Sequence, residues 1–430
     1  MKSTARLVSF ALLLFLAAWP ARAQSAGRPT ITLDGEWEFR LDAGDAGIRE
    51  RWFEAGTSFP RQITVPGAWN AQGFGFESAA DLEAYRSPVP RAVIAGPGTE
   101  TNKMFHVFPG PAWYRRQVEI PREWSGRRVW LHFGGAHRAA DVWVNGEAVG
   151  SHVGYIVPFR FEITRWVRPG ESAAITVRVD ARRNPEVDPL MGCTDTLDFL
   201  FVNWGGLHRS VRIEATEDRW IEDVFVVPRI AEAKAEVRVT LGVLEAASAE
   251  DARTEVGVEL LDPDNKVVSR ESGVLENPSA AAVFTLSVPN PRLWSPDSPH
   301  LYRARVTLHR GDHALDTATR RFGMREFTVK DGRFLLNGHP IFLRGYGDDC
   351  IYPNTIAPPT DREEYRKRFQ VVKDYGFNYA RHHSWCPPEE YFEVGGRDGV
   401  LLQPEFPMPT SGNCPRPRRP ETWHCACGGR

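Results

Sequence analysis

Five consecutive polar and aromatic side chains near the end of the sequence have the chemistry of a binding site; the run is Arg381-His382-His383-Ser384-Trp385. The planar fork of N–H donors on a guanidinium can hold hydroxyl groups or a carboxylate, and histidine and tryptophan rings can donate hydrogen bonds and stack. The same residues could instead serve structure, with Arg381 paired to a carboxylate and Trp385 packed in a core. On the residue types alone, both the binding role and the structural role stay open.

Three acidic residues stand where a carboxylate could act on a ligand. Glu405 closes a short apolar run, and Asp348 and Asp349 follow an earlier strand-like segment. A carboxylate can serve as acid, base or nucleophile, or it can orient another side chain through hydrogen bonds. For Glu405 we favour the orienting role. For the two aspartates, contact with ligand hydroxyls competes with the ordinary solvation of acids in a loop.

The elements that carry these residues follow a helical and strand-like alternation after Lys330. Tyr365, Phe369 and Val372 recur at helical spacing between apolar runs that are too short for helices. Such an alternation predicts a parallel α/β unit, in which the carboxyl ends of the strands share one edge and bring the polar residues together. The predicted elements are a strand at 341–344, a helix from the capping box Thr360 and Glu363 to Gly376, a strand at 377–380, a helix at 388–394 and a strand at 400–403.

The chain before residue 330 shows short alternating runs separated by Gly, Pro and Asn, which predicts β-sandwiches. Between residues 30 and 215 the clearest signal is Asn145-Gly146, because these residues supply the positive φ angles of a tight hairpin turn. From 217 to 325, alternating valines and the turn Asp262-Pro263-Asp264-Asn265 predict an immunoglobulin-like sandwich. Residues 217–322 contain no cysteine, which excludes a disulfide across the second sandwich.

The composition is that of a folded protein of about three domains, with 430 residues, 42% hydrophobic and 25% charged. The 53 basic and 55 acidic residues give a net charge of −2, which argues against a nucleic-acid partner. For the 14 tryptophans, a Trp-rich β core is favoured over stacking on sugar rings. The spacing of Cys414, His424, Cys425 and Cys427 disfavours zinc, so we expect no metal and no cofactor.

Both termini differ from the rest of the chain. Residues 1–23 combine basic residues, a short apolar run and the small-x-small motif Ala21-Arg22-Ala23, which predicts a cleaved export signal and a periplasmic or secreted protein. No stretch reaches about 18 continuous apolar residues, so we expect no membrane insertion. Residues 409–430 have no helical or strand period and read as an irregular tail, either a basic binding arm or, as we favour, the product of a shifted or truncated reading frame.

Several separate motifs, in order, resemble the family 2 glycoside hydrolases, which include bacterial β-galactosidases and β-glucuronidases. The resemblance covers nearly everything from Leu33 to Pro407, and no single motif carries it. The motifs are Leu33-Asp34-Gly35-Glu36-Trp37-Glu38-Phe39, Val65-Pro66-Gly67-Ala68-Trp69-Asn70, Trp113-Tyr114-Arg115-Arg116, Val142-Trp143-Val144-Asn145-Gly146, Asn203-Trp204-Gly205-Gly206-Leu207-His208-Arg209, and Asp331-Gly332-Arg333-Phe334-Leu335-Leu336-Asn337-Gly338 with Leu343-Arg344-Gly345.

The resemblance implies a sugar-binding jelly-roll domain at 30–215, an immunoglobulin-like sandwich at 217–325 and the first three βα units of an incomplete TIM (β/α)8 barrel at 330–408. It implies an exo-acting β-glycosidase of carbohydrate catabolism that retains configuration and takes a β-linked carbohydrate as its substrate; an oligomer stays open. Asp198, which precedes the Gly205-Gly206 pair, would reach the sugar pocket from the first domain, while the two glycines meet a backbone requirement. The other residues that would line the pocket are Arg381, His382, His383, Trp385, Glu405, Asp348 and Asp349.

The same resemblance predicts an inactive chain. Retaining hydrolysis needs two carboxylates about 5 to 5.5 Å apart, and the family carries its acid/base Glu after an Asn at the fourth barrel strand and its nucleophile at the seventh. A barrel takes about 250 residues, whereas about 90 follow Pro340, so we expect no catalytic residue in this chain. The alternatives are a non-catalytic carbohydrate-binding sandwich protein and an adhesion or scaffold protein.

Overall fold

The computed structural model describes residues 28–76, 106, 108, 110–155, 157–182, 204–243, 254–275, 281–350, 352–383 and 385–405. The predicted export signal, the predicted tail at 409–430, and Asp198 lie outside these residues. Within them, no helix is both long and apolar enough to cross a membrane. The described chain is mostly β-sheet, with two α-helices close to its end.

The first part of the chain is a sandwich of two antiparallel sheets. One sheet has the strand order β1-β10-β5-β8, and the other has the order β3-β2-β4-β9-β6-β7. Aliphatic and aromatic side chains from both sheets form one continuous core. The strands are β1 (Thr30–Thr32), β2 (Gly35–Leu41), β3 (Arg61–Val65), β4 (Pro111–Glu119), β5 (Arg128–Phe133), β6 (Ala139–Val144), β7 (Glu147–Val153), β8 (Phe159–Glu162), β9 (Ser172–Asp180) and β10 (Val211–Thr216).

Local sequence signals account for this sandwich. The predicted hairpin is confirmed, because Asn145 (φ 52°) and Gly146 (φ 84°) form the turn between β6 and β7. The predicted use of tryptophan in the core is confirmed for the most deeply buried indoles, three of which lie in this sandwich. These are Trp37, Trp69 and Trp113, with Trp294 and Trp385 further along the chain.

A second antiparallel sandwich follows, with the sheet orders β11-β12-β15 and β14-β13-β16-β17. Alternate residues such as Val237, Val239, Val256 and Val258 are buried between the two sheets, as the period-two pattern predicts. The predicted turn is present, since Asp262 Oδ1 accepts hydrogen bonds from the following backbone N–H groups at 264 and 266. The strands are β11 (Arg219–Arg229), β12 (Lys234–Val243), β13 (Thr254–Leu261), β14 (Val267–Leu275), β15 (Ala282–Ser287), β16 (Tyr302–Arg310) and β17 (His313–Phe322).

The end of the described chain contains a small antiparallel sheet and then a parallel α/β unit. The strands of the unit pair in the order β21-β22-β23, and both pairings are parallel. The side chains of both helices pack on one face of this sheet. The elements are β18 (Phe327–Lys330), β19 (Arg333–Leu336), β20 (His339–Pro340), β21 (Gly345–Asp348), α1 (Arg362–Asp374), β22 (Tyr379–His382), α2 (Glu389–Asp398) and β23 (Leu401–Pro404).

The predicted strand at 341–344 is wrong, because the first parallel strand begins at Gly345. The side chain of Asn378 explains the difference: its Oδ1 accepts from the Arg344 N–H (2.9 Å) and its Nδ2 donates to the Phe342 carbonyl oxygen (3.1 Å). The backbone of 341–344 is therefore held by a side chain, and the strand ladder starts four residues later than predicted, at the pair Gly345 and Tyr379. The other two strands also start one or two residues later than predicted.

The helix ends also differ from the prediction. Helix α1 is capped by Asp361, whose side chain accepts from the Glu363 N–H, so the predicted cap at Thr360 is one residue early. Its end is as predicted, since Gly376 follows the last turn with φ 75°. Helix α2 continues four residues past 394, because it tolerates its two internal glycines and ends only at Gly399, which has φ 78°.

Candidate functional site

The alternation of side chains along β22 divides the predicted site residues between two faces of the parallel sheet. Arg381 is exposed, whereas its neighbours Ala380 and His382 are buried against the helices. His383, just beyond the strand, lies on the side of Arg381. At the opposite end of that face, Leu401 is covered by residues that precede the unit, including Trp294. The carboxyl end of this face is accessible, since Gly347, Arg381 and Gln403 are exposed.

Three of the predicted site residues form one cluster at this accessible edge. Arg381 Nε donates to Glu405 Oε1 at 2.5 Å. The Nδ1 atom of His383 lies 3.5 Å from Glu405 Oε2 and 3.4 Å from a terminal nitrogen of Arg381. Beside them, the Tyr379 hydroxyl donates to Gln403 Oε1. We call Arg381, His383 and Glu405 the edge cluster.

The edge cluster is polar, partly exposed and internally balanced in charge. The side chains of Arg381 and His383 are 47% and 41% exposed, and that of Glu405 is 24% exposed. Glu405 is engaged by a guanidinium, which is the geometry of an orienting carboxylate. The cluster can therefore offer N–H donors to hydroxyl or carboxylate groups of a ligand, in an orientation that the ion pair limits.

Asp348 lies on the other side of the sheet and is 3% exposed. Its Oδ2 accepts from an Arg368 terminal nitrogen and from the Tyr391 hydroxyl, both at 2.9 Å, and its Oδ1 accepts from the Cys350 N–H at 3.1 Å. With three donors around it and almost no access, this carboxylate is placed for support of the fold and not for contact with a ligand. This placement corrects the expectation from the sequence.

His382 and Trp385 are also buried, at 0% and 2% exposure, and the Trp385 carbonyl oxygen accepts from the Glu405 N–H at 3.3 Å. The Nδ1 of His382 lies 3.2 Å from the Gln403 carbonyl oxygen, and its ring packs edge-on against Trp385 and Tyr391. Burial lowers the pKa of His382, which keeps its imidazole neutral at neutral pH. Trp385 Nε1 donates to the Asp348 carbonyl oxygen at 2.7 Å. For Trp385 the geometry supports packing in the core, which was the structural alternative to a role in binding.

The remaining predicted site residues are placed as follows. Asp349 is exposed at the end of β21, and Asp198 lies outside the described residues. Sequence reasoning missed Arg368 and Tyr391, the partners of Asp348. The signal for Arg368 was its place three residues after Tyr365 on the inward face of α1.

The first sandwich contacts this unit directly. Arg209 donates to the Cys386 carbonyl oxygen at 3.3 Å, in the loop that follows β22. Burial lowers the pKa of Arg209. The preceding glycine pair meets a backbone requirement, as predicted: a Cβ on Gly205 would lie 2.1 Å from the Trp69 ring, and Gly206 has φ 143°. Close packing therefore fixes the segment that delivers Arg209.

In the part of the chain that the structure describes, no group of three or more His, Cys, Asp and Glu residues could hold a metal ion. The family model described as "Glycosyl hydrolases family 2, sugar binding domain" matches residues 31–216, and the model described as "Glycosyl hydrolases family 2" matches residues 220–325. Together these matches cover more than half of the chain. The chain belongs to glycosyl hydrolase family 2. Its relatives include β-galactosidases and β-glucuronidases.

Two curated relatives show how similar this family 2 chain is to known glycosidases and how much of their length it matches. The β-galactosidase of Thermoanaerobacter pseudethanolicus is 30% identical over 300 residues, which cover 69% of this chain and 39% of that protein. The β-glucuronidase of Paenibacillus borealis is 29% identical over 393 residues, which cover 87% of this chain and 58% of that protein. This chain thus matches less than two thirds of the length of either relative.

Solved structures support the same fold. The β-glucuronidase of Ruminococcus gnavus in complex with D-glucaro-1,5-lactone superposes with a TM-score of 0.70 at 21% identity, covering 90% of this chain and 60% of that one. At this identity the likeness is evidence for the fold alone. It extends over the two sandwiches and, given the 90% coverage, into the α/β unit.

Proposed function

We propose that this chain is the N-terminal part of an exported, exo-acting β-glycosidase that hydrolyses O-glycosyl bonds with retention of configuration. One observation carries the proposal: two family 2 domains are followed by an accessible polar cluster at the carboxyl edge of a parallel sheet. The relatives named β-galactosidase and β-glucuronidase support a β-linked carbohydrate as the substrate.

The architecture proposed for the whole enzyme is a jelly roll, an immunoglobulin-like domain and a (β/α)8 barrel. The three parallel strands β21, β22 and β23 would be the first three of eight. Because both helices pack on one face, the opposite face, which carries Arg381 and Glu405, would line the barrel interior. Barrel enzymes place their sites at the carboxyl ends of the strands, which is where the edge cluster lies.

Each member of the edge cluster has a proposed role in binding sugar. Arg381 would donate hydrogen bonds to ring hydroxyls or to a carboxylate, with Glu405 holding the guanidinium plane in place. His383 would add a further polar contact from the same edge. Asp349 would reach hydroxyls from the neighbouring strand end, and Asp198 would enter the pocket from the first sandwich.

The residues that catalyse hydrolysis of the glycosidic bond would lie outside these 430 residues. A retaining glycosidase needs one carboxyl group that protonates the leaving oxygen and a second that attacks the anomeric carbon. Glu405 is a poor choice for either role, because its Oε1 already accepts from Arg381 Nε. The acid/base and the nucleophile would therefore be supplied by later barrel strands that this chain does not contain.

The test has two arms. The purified 430-residue chain should not release nitrophenol from 4-nitrophenyl β-D-glucuronide or β-D-galactoside above the buffer rate. Sequencing of the DNA beyond codon 408 should reveal, in another reading frame, an Asn-Glu pair about 30 to 90 residues further on, at about 30 residues per βα unit. Turnover by the 430-residue chain that survives rigorous purification would overturn the assignment of catalysis to absent residues.

The extended chain then tests the binding role of the edge cluster. Glu405→Gln should raise KM at least several-fold, since it releases Arg381 from its orienting partner. The control Glu147→Gln, an exposed change on β7, should leave KM and kcat unchanged. An extended chain that binds aryl glycosides without hydrolysing them would favour the non-catalytic carbohydrate-binding alternative.

A further inference from the structure

The two loops that leave β21 and β22 lie directly against each other. The His383 N–H donates to the Asp348 carbonyl oxygen at 3.0 Å, and Trp385 Nε1 donates to the same oxygen at 2.7 Å. Each loop carries one cysteine. Cys350 is two residues beyond the end of β21, and Cys386 directly follows Trp385, and both are thiols in the structure. The hydrogen bonds thus bring two thiol-bearing segments side by side.

The loop that carries Cys386 also contacts the first sandwich. Arg209 donates to the Cys386 carbonyl oxygen, and its charge opposes the rise that burial causes in the pKa of the Cys350 thiol. Burial raises the pKa of Tyr155, and both thiols act on this phenol in the same direction. Cys350 also packs against the hydrophobic cluster that contains Trp385, the residue before Cys386. The two cysteines therefore converge on one small region.

We propose that Cys350 and Cys386 form a disulfide that joins these two loops in the exported protein, an inference that rests on the export proposed above. Oxidising compartments allow such bonds to persist. The cysteines react with a disulfide oxidant by exchange. Their two sulfurs form one S–S bond, the S–S bond of the oxidant breaks, and the oxidant leaves as two thiols that carry the two protons and two electrons lost by the cysteines.

The bond would act on the edge cluster through the backbone. It closes a loop that contains α1 and β22, and it ties the segment after His383 to the segment after Asp349. Cross-linking a loop of this length restricts the unfolded chain and stabilises the folded one. The disulfide would therefore fix the spacing between the two strand ends that the proposed sugar pocket uses.

Peptide mapping tests the bond without any substrate, so its outcome is separate from that of the glycosidase proposal. The full chain is equilibrated in glutathione buffers from fully reduced to fully oxidised, alkylated with iodoacetamide and cut with trypsin without reduction. Trypsin releases residues 345–362, which contain only Cys350, and residues 382–397, which contain only Cys386. The two peptides should appear as one cross-linked mass in the oxidised buffer and separate on reduction.

Variants sharpen the result. Cys350→Ser should abolish the cross-linked mass and leave Cys386 alkylated or joined to glutathione, while Cys193→Ser, the matched control, should preserve the cross-link. The wild-type chain alone decides the question if a variant fails to fold. Alkylation of both thiols throughout the oxidised series, or their pairing with other cysteines in place of each other, would overturn the proposal.

Discussion

Replacement of Asp348 by asparagine should loosen the loop that carries His383, although the Asp348 carboxylate lies on the opposite face of the sheet from the edge cluster. The carboxylate is 3% exposed and receives three hydrogen bonds, one from the guanidinium of Arg368. Removing the charge of one partner in a buried ion pair costs about 3 to 5 kcal/mol of stability. Because the Arg368 side chain is 29% exposed and can turn toward water, the expected cost is lower, about 2 to 3 kcal/mol.

Hydrogen exchange measured by mass spectrometry is the suitable assay, since a chain of several domains does not unfold in one step. The His383 N–H is bonded to the Asp348 carbonyl oxygen, so its protection reports on opening of this loop. A cost of about 2 to 3 kcal/mol accelerates exchange in the peptide 382–391 by about 30- to 150-fold. Asp349→Asn makes the same chemical change one residue away at an exposed position, and it should alter exchange less than about threefold.

A double variant separates the ion pair from simple packing loss. Arg368→Met removes the charge that Asp348→Asn leaves uncompensated, so the two changes together should accelerate exchange less than the product of their separate effects. Exchange that is unchanged in Asp348→Asn, or a double variant whose effects simply multiply, would refute the reasoning that Asp348 supports the loop through its pair with Arg368.

Three further predictions concern the parts that hold the unit in place. Gly205→Ala puts a methyl group 2.1 Å from an indole ring and should destabilise the first sandwich by about 2 kcal/mol or more. Gly396→Ala, in a helix with open space around this position, should stabilise α2 by about 0.5 to 1 kcal/mol. Hydrogen exchange in peptides from the sandwich and from α2 measures the two changes. Burial raises the pKa of Glu214, but its neighbours His132 and Arg212 lower it by more, so the net shift is downward. The stability from this lowered pKa is present above the ordinary carboxyl pKa and is lost as the pH falls below about 4. Unfolding scans from pH 7 to 3 should show a larger loss in the wild type than in Glu214→Gln, in which other carboxyls with lowered pKa values remain. Glu393→Ala removes ion pairs to Arg321 and Arg362, whereas Arg321→Ala removes one ion pair. Glu393→Ala should therefore increase proteolysis of α2 more than Arg321→Ala does, with each ion pair contributing no more than about 1 kcal/mol. High salt should reduce the difference in proteolysis between the two variants.

The order of the elements could be read from the sequence because each rests on a local signal. Period-two valines gave the second sandwich, and Asn145-Gly146 gave the hairpin in the first. The exact strand ends could not be read in this way. Asn378 fixes them through side-chain bonds to a segment more than thirty residues earlier, and no local pattern encodes such a partner.

The candidate site was predictable only in part, for a geometric reason. The rule that parallel strands share a carboxyl edge correctly brings Arg381 and Glu405 together. In a strand of four residues, however, a register error of one position moves every side chain to the opposite face. The sequence therefore could not separate Arg381 and His383, which are accessible, from His382, which is buried.

The two faces are nevertheless coupled through the peptide group of Asp348. The Asp348 carbonyl oxygen accepts from the His383 N–H on the accessible side and from Trp385 Nε1 on the buried side, while the Asp348 side chain holds Arg368. A change in the buried pair therefore reaches the edge cluster through the backbone and not through a ligand. This predicts an asymmetry: Asp348→Asn should increase exchange at the loop after β22, whereas Glu405→Gln, which alters the accessible side alone, should leave that exchange nearly unchanged. Equal effects from both substitutions would mean that the edge cluster itself holds the loop, and that the buried pair does not position it.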